Sequence, residues 1–267
     1  MFSFPVADSH IHTTHSFDGR SAMREQLEKG RELGLFSMAI TEHMEINSAP
    51  EEENEKSIAE GLEELEALRG QYSEIKLLRG VELGQATQDI KRAERLLDSM
   101  RFDFVLGSLH NMRDEEDFYY LHYTEDSAQE LYDRYLSELR ELVEWGRFDS
   151  LAHLTYPLRY MTGREGIAMP FERYRDRYAD ILALLAQKGK ALEINTAKVR
   201  VGWGLCPDEN MLRLWRECGG KYVTLGSDAH DAQYLSVDME TGKQALLNAG
   251  FDGYVYYEKH EPHMIKL

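Results

Sequence analysis

The feature that most constrains the fold of this chain is a regular alternation of short apolar runs with amphipathic helical patterns. Eight apolar runs recur along the sequence: FPVADSHI, LFSMAIT, IKLLRGVEL, FDFVLGSLH, FDSLAHL, KALEINT, KYVTLGS and GYVYY. The alternation of strand and helix predicts parallel strands joined by crossover helices. About seven such repeats without a visible break favour a (β/α) barrel over an open sheet, so residues 1–267 are predicted to form a single domain.

One helical pattern also indicates where its element begins and ends. In DSAQELYDRYLSELRELVEWG, apolar residues recur at helical spacing, and Ser127 precedes Glu130 by three residues. This spacing predicts a capping box at the start of the helix, and Gly146 predicts its end.

The charge of the chain limits its partners. The formal net charge is -17, which argues against nucleic acid as a ligand, because a nucleic-acid site needs a basic patch. Much of the excess lies in the glutamate-rich stretch 49–68, which is predicted to be the solvated face of a helix. Carboxylates that bind divalent cations would also add to this apparent excess. An anionic ligand would therefore have to be attracted by bound cations and a few local basic groups.

The hydropathy of the chain and the spacing of its cysteines indicate the cellular compartment of the protein. No run approaches the roughly 20 apolar residues that span a membrane, and the first residues show no basic segment followed by an apolar run, so we expect no signal peptide. Cys206 and Cys218 form no C-x-x-C pair, and free thiols suit a reducing compartment. We expect a cytoplasmic protein with no membrane partner, and no sequence feature indicates an oligomeric state.

The ends of the predicted strands carry residues that bind metals. In a (β/α) barrel, chemistry collects at the C-terminal ends of the strands. The sixth predicted strand ends in Asn195, and the other six end in His, Asp or Glu, namely His10 with His12, His43, Glu82, His110, His153, and Asp228 with His230. A single histidine at a strand end is usually a hydrogen-bonded turn residue, but six such ends on one rim predict a metal site. The histidines outside this pattern are expected to be structural: His15, His122, His260 and His263.

The mixture of donors narrows the kind of ion. Imidazole and carboxylate together suit Zn, Mn or Fe, whereas Ca prefers an all-oxygen shell. The candidates are too many for one tetrahedral ion, so we expect two to three divalent ions, with a central glutamate bridging two of them. Neighbouring divalent ions lower the pKa of water and clamp the oxygens of an in-line displacement, which is what hydrolysis of a phosphate ester requires.

Four motifs of the chain resemble those of the polymerase and histidinol phosphatase (PHP) family. They are the H-x-H-T opening with a later D-G, the T-E-H, the G-S-x-H and the S-D-A-H. The resemblance covers nearly the whole chain, and it is greatest to the stand-alone histidinol-phosphate phosphatases, through GVELG, FDFVLGSLHNM, AHLTYP, EINTAKVR and LGSDAH. It implies a distorted (β/α)7 TIM-like barrel with the metal site at the C-terminal ends of the strands. The eighth run, GYVYY, exceeds the seven strands and is expected to pack outside the barrel.

The resemblance also implies a ligand set, carried over position by position. The first ion would be held by His10, His12, Glu82 and Asp228. The second would share Glu82 and add His110 and His153, and the third would use Asp18, His43 and His230. His15 is the alternative to Asp18, because the spacing in this motif varies. Asp8 and Glu42 match positions that support the ligands, and the chain has T-E-H where the family has T-D-H.

The reaction implied by the resemblance is hydrolysis of L-histidinol phosphate to L-histidinol and phosphate. A guanidinium fork matches phosphate geometry, and Arg159 and Arg200 lie just past strand ends, with Lys198 as a weaker candidate. Asp228 and His230 complete the predicted catalytic set, and the leaving oxygen would be protonated by a water at the metal site or by His230. The loop 111–126 has aromatic and acidic residues that suit a lid over a cationic substrate, although loops are often simply polar.

Four other functions compete with this one. The nearest is a related phosphoesterase that acts on a nucleotide or another small phosphate. A metal-dependent amidohydrolase also begins with H-x-H, but it usually needs a bridging lysine where this chain has Glu82. The acidic composition disfavours a DNA exonuclease, and a non-catalytic barrel would be expected to lack ligands that are present here.

Overall fold

A sheet of seven parallel strands forms the centre of the computed structural model, which describes residues 2–47 and 51–267. The strands are β1 (Ala7–Ile11), β2 (Ser37–Glu45), β3 (Lys76–Gly84), β4 (Phe104–Ser108), β5 (Ser150–Leu151), β6 (Ala191–Asn195) and β7 (Tyr222–Gly226). They pair in chain order, from β1 to β7. Every position of β1, β4 and β6 is buried, which is typical of parallel strands covered on both faces. The predicted seven parallel strands are confirmed.

Seven α-helices in the described part of the chain connect the strands or follow them. They are α1 (Met23–Leu33), α2 (Glu51–Leu68), α3 (Ile90–Ser99), α4 (Glu125–Trp145), α5 (Phe171–Gln187), α6 (Glu209–Glu217) and α7 (Met239–Asn248). Short 3-10 turns lie at 69–71, 86–88, 199–201 and 232–234, and a π-helix spans Arg159–Arg164. None of the helices in the described ranges is both long and apolar enough to cross a membrane.

The predicted start of α4 is wrong by one turn. The helix is capped by Thr124, whose hydroxyl accepts a hydrogen bond from the N–H of Ser127 at 3.2 Å, while Ser127 Oγ accepts from the N–H of Thr124 at 2.9 Å. Ser127 is thus the third residue of the helix, not its cap, because Thr124 offers the same chemistry earlier in the chain. The predicted end is confirmed, since Gly146 adopts the left-handed conformation (φ 69°) that closes a helix.

The glutamate-rich stretch 49–68 begins outside the described residues, at 49 and 50, and continues as α2. Ile58, Leu62 and Leu65 are buried at helical spacing, while Glu60 and Glu63 face solvent. The described part of the stretch therefore has the solvated acidic face that was predicted.

The barrel is nearly closed between β1 and the end of β7. A single parallel bridge joins Ile11 to Ala229. Beside it, the N–H of His12 donates to the carbonyl of Ala229 at 3.0 Å, and the N–H of Asp228 donates to the carbonyl of His10 at 2.8 Å. The closure lies at the C-terminal end of β1, so the same bonds that close the barrel bring two predicted histidines next to the predicted aspartate. This is the distorted seven-stranded α/β barrel that was expected.

The eighth apolar run lies outside the barrel, as predicted. It forms β8 (Gly253–Glu258), which pairs antiparallel with β9 (Glu261–Lys266) in a separate two-stranded sheet. Tyr254 ties this hairpin to the first strand: its hydroxyl accepts from the N–H of Ala7 at 2.8 Å and donates to the carbonyl of Pro5 at 2.7 Å.

Candidate metal centre

Glu82, near the end of β3, lies at the centre of the predicted histidines. Its side chain is buried, and the register of β2 with β3 places His43 directly beside it. The nitrogens around its carboxylate are Nε2 of His153 (2.8 Å), Nδ1 of His43 (3.0 Å), Nε2 of His10 (3.1 Å), Nε2 of His110 (3.1 Å) and Nε2 of His12 (3.4 Å). Five histidines from the ends of four strands, β1, β2, β4 and β5, therefore converge on one carboxylate.

Asp228 reaches the same centre through an unusual backbone conformation. Its φ of 52° lies in the left-handed region, which aspartate tolerates better than most residues, and this turns the chain sharply after β7. Oδ1 lies 3.7 Å from Nε2 of His10 and 3.6 Å from Nε2 of His12. Oδ2 instead accepts hydrogen bonds from Arg159 Nη1 (3.3 Å) and Asn195 Nδ2 (3.1 Å). Each oxygen of Asp228 thus has its own set of neighbours.

A third group forms at the outer edge of the centre, and it contains Asp18. Oδ2 of Asp18 lies 3.1 Å from Nε2 of His230, and Oδ1 lies 3.6 Å from Nε2 of His43. The structure places His15 elsewhere: its Nε2 lies 2.8 Å from Oε2 of Glu64 on α2. Of the two alternatives for this position, Asp18 is the one brought to the other candidates.

The donor set fits divalent cations. Among the described residues, the buried atoms without a hydrogen-bond partner include Nε2 of His10, Nε2 of His12, Nδ1 of His43 and Oε2 of Glu82. An unpaired buried polar atom costs about 1–3 kcal/mol, which a bound cation would offset. Sets of three donor atoms within 4.8 Å of one another include His10, His12 and Glu82, and also His43, Glu82 and His110. Imidazole with carboxylate is the donor chemistry of Zn and its neighbours.

The charge states of Glu82, Asp18 and His12 suit cation binding. Burial would raise the pKa of Glu82, but His10, His110 and His43 outweigh it and hold the pKa well below its usual range. Burial likewise opposes ionisation of Asp18, yet His230 and His43 lower its pKa to about 2. For His12, burial and the nearby imidazoles lower the pKa well below the ordinary value, which keeps the ring neutral. Ionised carboxylates and a neutral imidazole are the forms that bind metals.

Two carboxylates of this centre were missed in the sequence. Glu193 of β6 accepts a hydrogen bond from Nδ1 of His10 at 2.6 Å, and Glu45 of β2 accepts one from Nδ1 of His110 at 2.9 Å. The available signal was strand periodicity, because each glutamate lies two residues from a predicted strand-end residue on the same strand and so points to the same side. Glu193 precedes Asn195, and Glu45 follows His43.

Asp8 and Glu42 lie outside the ligand cluster and hold neighbouring chain segments. Asp8 accepts from the N–H of Ser227 at 3.0 Å and from the hydroxyls of Ser227 and Ser236 at 2.6 and 2.9 Å. Glu42 accepts from the hydroxyl of Thr13 at 2.6 Å and from its N–H at 3.1 Å. These bonds link the first strand and the loop after it to β2 and to the end of β7.

The three predicted basic residues differ in their surroundings. Arg159 opens the π-helix and is only 6% exposed, and its Nη2 donates to Oδ1 of Asn195 at 2.6 Å. Arg200 is exposed, with its guanidinium carbon 3.4 Å from the ring centre of Tyr234. Lys198 is half-buried, and burial lowers its pKa. Arg159 is therefore part of the centre, whereas Arg200 belongs to its exposed rim.

The loop 111–126 borders the centre through Asp117 and the neighbouring Tyr156. The hydroxyl of Tyr156 donates to Oδ1 of Asp117 at 3.2 Å, and its ring centre lies 5.0 Å from those of His110 and His153. Tyr119 is exposed on the same loop. The loop thus brings the carboxylate of Asp117 to Tyr156, whose ring lies beside the histidines.

Comparisons with known proteins agree with this geometry. The PHP domain family model matches residues 8–197. A protein of Clostridium acetobutylicum named "Probable histidinol-phosphatase" is 26% identical over 258 residues, which cover 95% of this chain and 97% of that protein. The histidinol-phosphatase of Lactococcus lactis is 28% identical over 249 residues, 91% of each chain. A crystal structure of the histidinol phosphate phosphatase from Lactococcus lactis, complexed with zinc, L-histidinol and phosphate, aligns with a TM-score of 0.81 at 25% identity, over 96% of this chain and 98% of that one.

Proposed function

The chain belongs to the PHP domain family, and we propose that it is a metal-dependent histidinol-phosphatase that hydrolyses L-histidinol phosphate to L-histidinol and phosphate. The observation that carries the proposal is the convergence of five histidines on the buried Glu82, with several of their nitrogens lacking hydrogen-bond partners among the described residues. The substrate is the one indicated by the relatives that match nearly the whole chain, and by the L-histidinol and phosphate in the Lactococcus lactis structure.

Two to three ions of Zn, Mn or Fe would occupy the centre. The first would be held by His10, His12, Glu82 and Asp228, the second by Glu82, His110 and His153, and the third by Asp18, His43 and His230. Bound divalent ions of this kind lower the pKa of water and neutralise charge on the phosphoryl oxygens during an in-line displacement. Glu82 supports the sharing, because its two oxygens face different histidines.

Arg159 supplies fixed positive charge next to the predicted phosphate position. Its two hydrogen bonds, to Asn195 and Asp228, hold the guanidinium plane in place, so little side-chain freedom is lost when a phosphoryl group binds. Arg200 and Lys198 follow β6 and add positive charge at the rim. Together these three cations offset the acidic character of the rest of the chain at the one point where an anionic substrate must approach.

His230 has a second proposed role, at the leaving oxygen. Its side chain is 24% exposed, more than those of the histidines around Glu82. Nδ1 donates to the backbone carbonyl of Asp228 at 3.0 Å, so Nε2, which lies 3.1 Å from Oδ2 of Asp18, is the nitrogen that would bind the third ion or, when that ion is not bound to it, pass a proton. The leaving alkoxide would take its proton from water or from this nitrogen.

The leaving group itself would be recognised by Asp117. Histidinol carries an amine and an imidazole, and both can present positive charge to a carboxylate. Burial raises the pKa of Asp117, against the lowering effect of His110, and the hydroxyl of Tyr156 supports one oxygen. The exposed ring of Tyr119 lies on the same loop and is available for stacking. We further propose a cytoplasmic location, in keeping with two cysteines that form no disulfide.

The decisive experiment is a substrate panel with defined metals. Protein stripped with a chelator is reloaded with Zn, Mn or Fe, and kcat/KM is measured for L-histidinol phosphate, p-nitrophenyl phosphate and a nucleoside monophosphate. We expect activity only after reloading and the highest kcat/KM for L-histidinol phosphate. A higher value for the nucleotide would assign the chain to another phosphoesterase, and full activity without metal would overturn the proposal.

A further inference from the structure

Glu193 is a buried carboxylate whose two oxygens contact two different candidate ligands. Oε1 accepts from Nδ1 of His10 at 2.6 Å, and Oε2 accepts from the backbone N–H of His153 at 2.8 Å. The side chains of Glu193 and His10 are fully buried. Water therefore does not compete for these hydrogen bonds, and the low local dielectric makes each of them stronger.

The first hydrogen bond fixes which nitrogen of His10 faces the centre. A carboxylate that accepts from Nδ1 keeps the proton on that atom, so in the neutral ring Nε2 is the nitrogen with the unshared lone pair. Nε2 of His10 is one of the described buried atoms without a hydrogen-bond partner, and it lies 3.1 Å from Oε2 of Glu82. The pair thus presents the form of the ring that can bind a cation.

The second hydrogen bond, from the backbone N–H of His153 to Oε2 of Glu193, holds the chain in place at His153. The strand β5 is only two residues long, so few sheet hydrogen bonds hold the segment that carries His153. Glu193 binds this segment by its backbone, while Nε2 of His153 lies 2.8 Å from Oε1 of Glu82. One carboxylate therefore orients a donor on each side of Glu82.

We propose that Glu193 is a positioning residue that supports two metal positions at once, by fixing the Nε2-donor form of His10 and by holding the backbone of His153. The inference rests on the proposed function in assuming that the centre binds divalent ions. Carboxylates that hold ligating histidines typically change metal affinity by about 10–100-fold when they are replaced.

The first test measures metal affinity without using the reaction. Apo-protein is titrated with Co²⁺, and the absorption of bound Co²⁺ gives the dissociation constant of each equivalent. Glu193→Gln should raise the dissociation constants of two equivalents by about 10–100-fold, and Glu193→Asp should recover part of the affinity. Unchanged constants, or the outright loss of a single equivalent with the others intact, would overturn the proposal, since the latter result would make Glu193 itself a ligand.

The matched control is Glu64→Gln. Glu64 also pairs with a histidine, because its Oε2 lies 2.8 Å from Nε2 of His15, but that pair lies outside the centre. The control should leave every Co²⁺ constant at the unmodified value. A comparable loss in the control would show that any carboxylate–histidine pair affects binding through general stability, and the specific role of Glu193 would be rejected.

The second test needs no variant and so does not depend on folding of a mutant. Long-range ¹H–¹⁵N NMR of ¹⁵N-histidine-labelled protein identifies which ring nitrogen carries the proton. We expect His10 to be protonated at Nδ1, and a proton at Nε2 instead would overturn the inference. If L-histidinol phosphate were not the preferred substrate, the Co²⁺ dissociation constants and the NMR result would still test the role of Glu193. The proposed function and the role of Glu193 can therefore fail separately.

Discussion

Oε1 of Glu82 lies 2.8 Å from Nε2 of His153, although β3 and β5 are separated by β4 in the sheet. The other oxygen of Glu82 faces the opposite way. Oε2 lies within 3.4 Å of a nitrogen of His10, His12 and His43, whereas Oε1 is the atom near His110 and His153. A carboxylate that separates its histidines into two sets has the geometry of a bridge between two ions.

Replacing Glu82 with glutamine tests this bridge. Glu82→Gln keeps the shape but removes the negative charge that two cations would share, so metal content should fall by at least one equivalent per chain. We expect kcat to fall by more than about a hundredfold, since even a supporting carboxylate is worth about 10–100-fold. Metal analysis and steady-state kinetics check this, with Glu64→Gln as the control. Activity within a few-fold of the unmodified protein would show that Glu82 is not shared.

Replacing Asp18 and replacing His15 should have different effects on the metal content of the protein. Asp18 lies 3.1 Å from His230, so Asp18→Ala should weaken the binding of one ion selectively. His15 instead pairs with Glu64, so His15→Ala should leave all ions bound. Metal content after dialysis against a weak chelator distinguishes the two. If only His15→Ala lost an ion, the third position would have to be reassigned.

Replacing Arg159 and replacing Arg200 should affect protein stability differently but catalysis alike. Each substitution to alanine should lower kcat/KM for all phosphomonoesters by a similar factor, because the phosphoryl group is common to these substrates. A charge-assisted contact of this kind is worth about 2–4 kcal/mol, or roughly thirty- to a thousand-fold. Arg159→Ala should also lower the melting temperature, since it removes one partner of Asp228, whose side chain is only 11% exposed. Arg200→Ala should leave the melting temperature unchanged, because Arg200 is exposed.

Kinetics with two substrates separate phosphate binding from leaving-group binding. A loss for L-histidinol phosphate but not for p-nitrophenyl phosphate would place Arg200 at the leaving group. Arg31 is the control, because it is exposed and its guanidinium carbon lies 4.3 Å from the ring centre of Tyr72, away from the strand ends. Arg31→Ala should leave both substrates unaffected.

Replacing Asp117 should impair the hydrolysis of L-histidinol phosphate but not that of p-nitrophenyl phosphate. Asp117→Asn removes the charge that would face the amine or imidazole but keeps the size, so KM for L-histidinol phosphate should rise about tenfold or more, which corresponds to a hydrogen bond to a charged group. The rate with p-nitrophenyl phosphate, which has no cationic group, should stay within about twofold. Equal losses for both substrates would place Asp117 among the groups that bind phosphate or metal.

A pH effect on stability is expected at the other end of the barrel. Nδ1 of His260 donates to Oδ2 of Asp149 at 2.9 Å. This bond and the charge of Asp103 raise the pKa of His260, against burial and Lys190. Because the folded-state pKa is raised, the contribution is complete below the unfolded value of about 6.5 and is lost as the pH rises through the folded value.

Denaturant unfolding measures this contribution as a difference between variants. The difference in unfolding free energy between the unmodified protein and His260→Gln should be larger at pH 5.5 than at pH 8.5, with metal held constant. His122 provides the control, since its side chain is almost fully exposed and His122→Gln should show no such difference. A difference for His260 that does not change with pH would mean that the charge of His260 plays no part.

Strand and helix periodicity was enough to predict the seven parallel strands and the set of strand-end donors. Parallel strands joined by crossover helices bring their C-terminal ends to one rim, so the location of each strand end in the chain was sufficient to predict which side chains would meet. The spacing of His10 and His12 also fixed their common direction, because side chains two apart on a strand point the same way. These inferences depend only on local periodicity and on topology.

Contacts between segments that are far apart in the chain could be assigned only from the folded structure. Asp18 faces the centre because the loop that carries it is tightly folded: a Cβ at Gly19 would lie 1.7 Å from the carbonyl oxygen of Thr13, so only glycine fits there. Glu193 reaches His10 across 183 positions of sequence. Loop direction and cross-strand partners follow from packing between segments far apart in the chain. Local periodicity gives the side of a strand on which a residue such as Glu193 lies, but not the partner that it meets there.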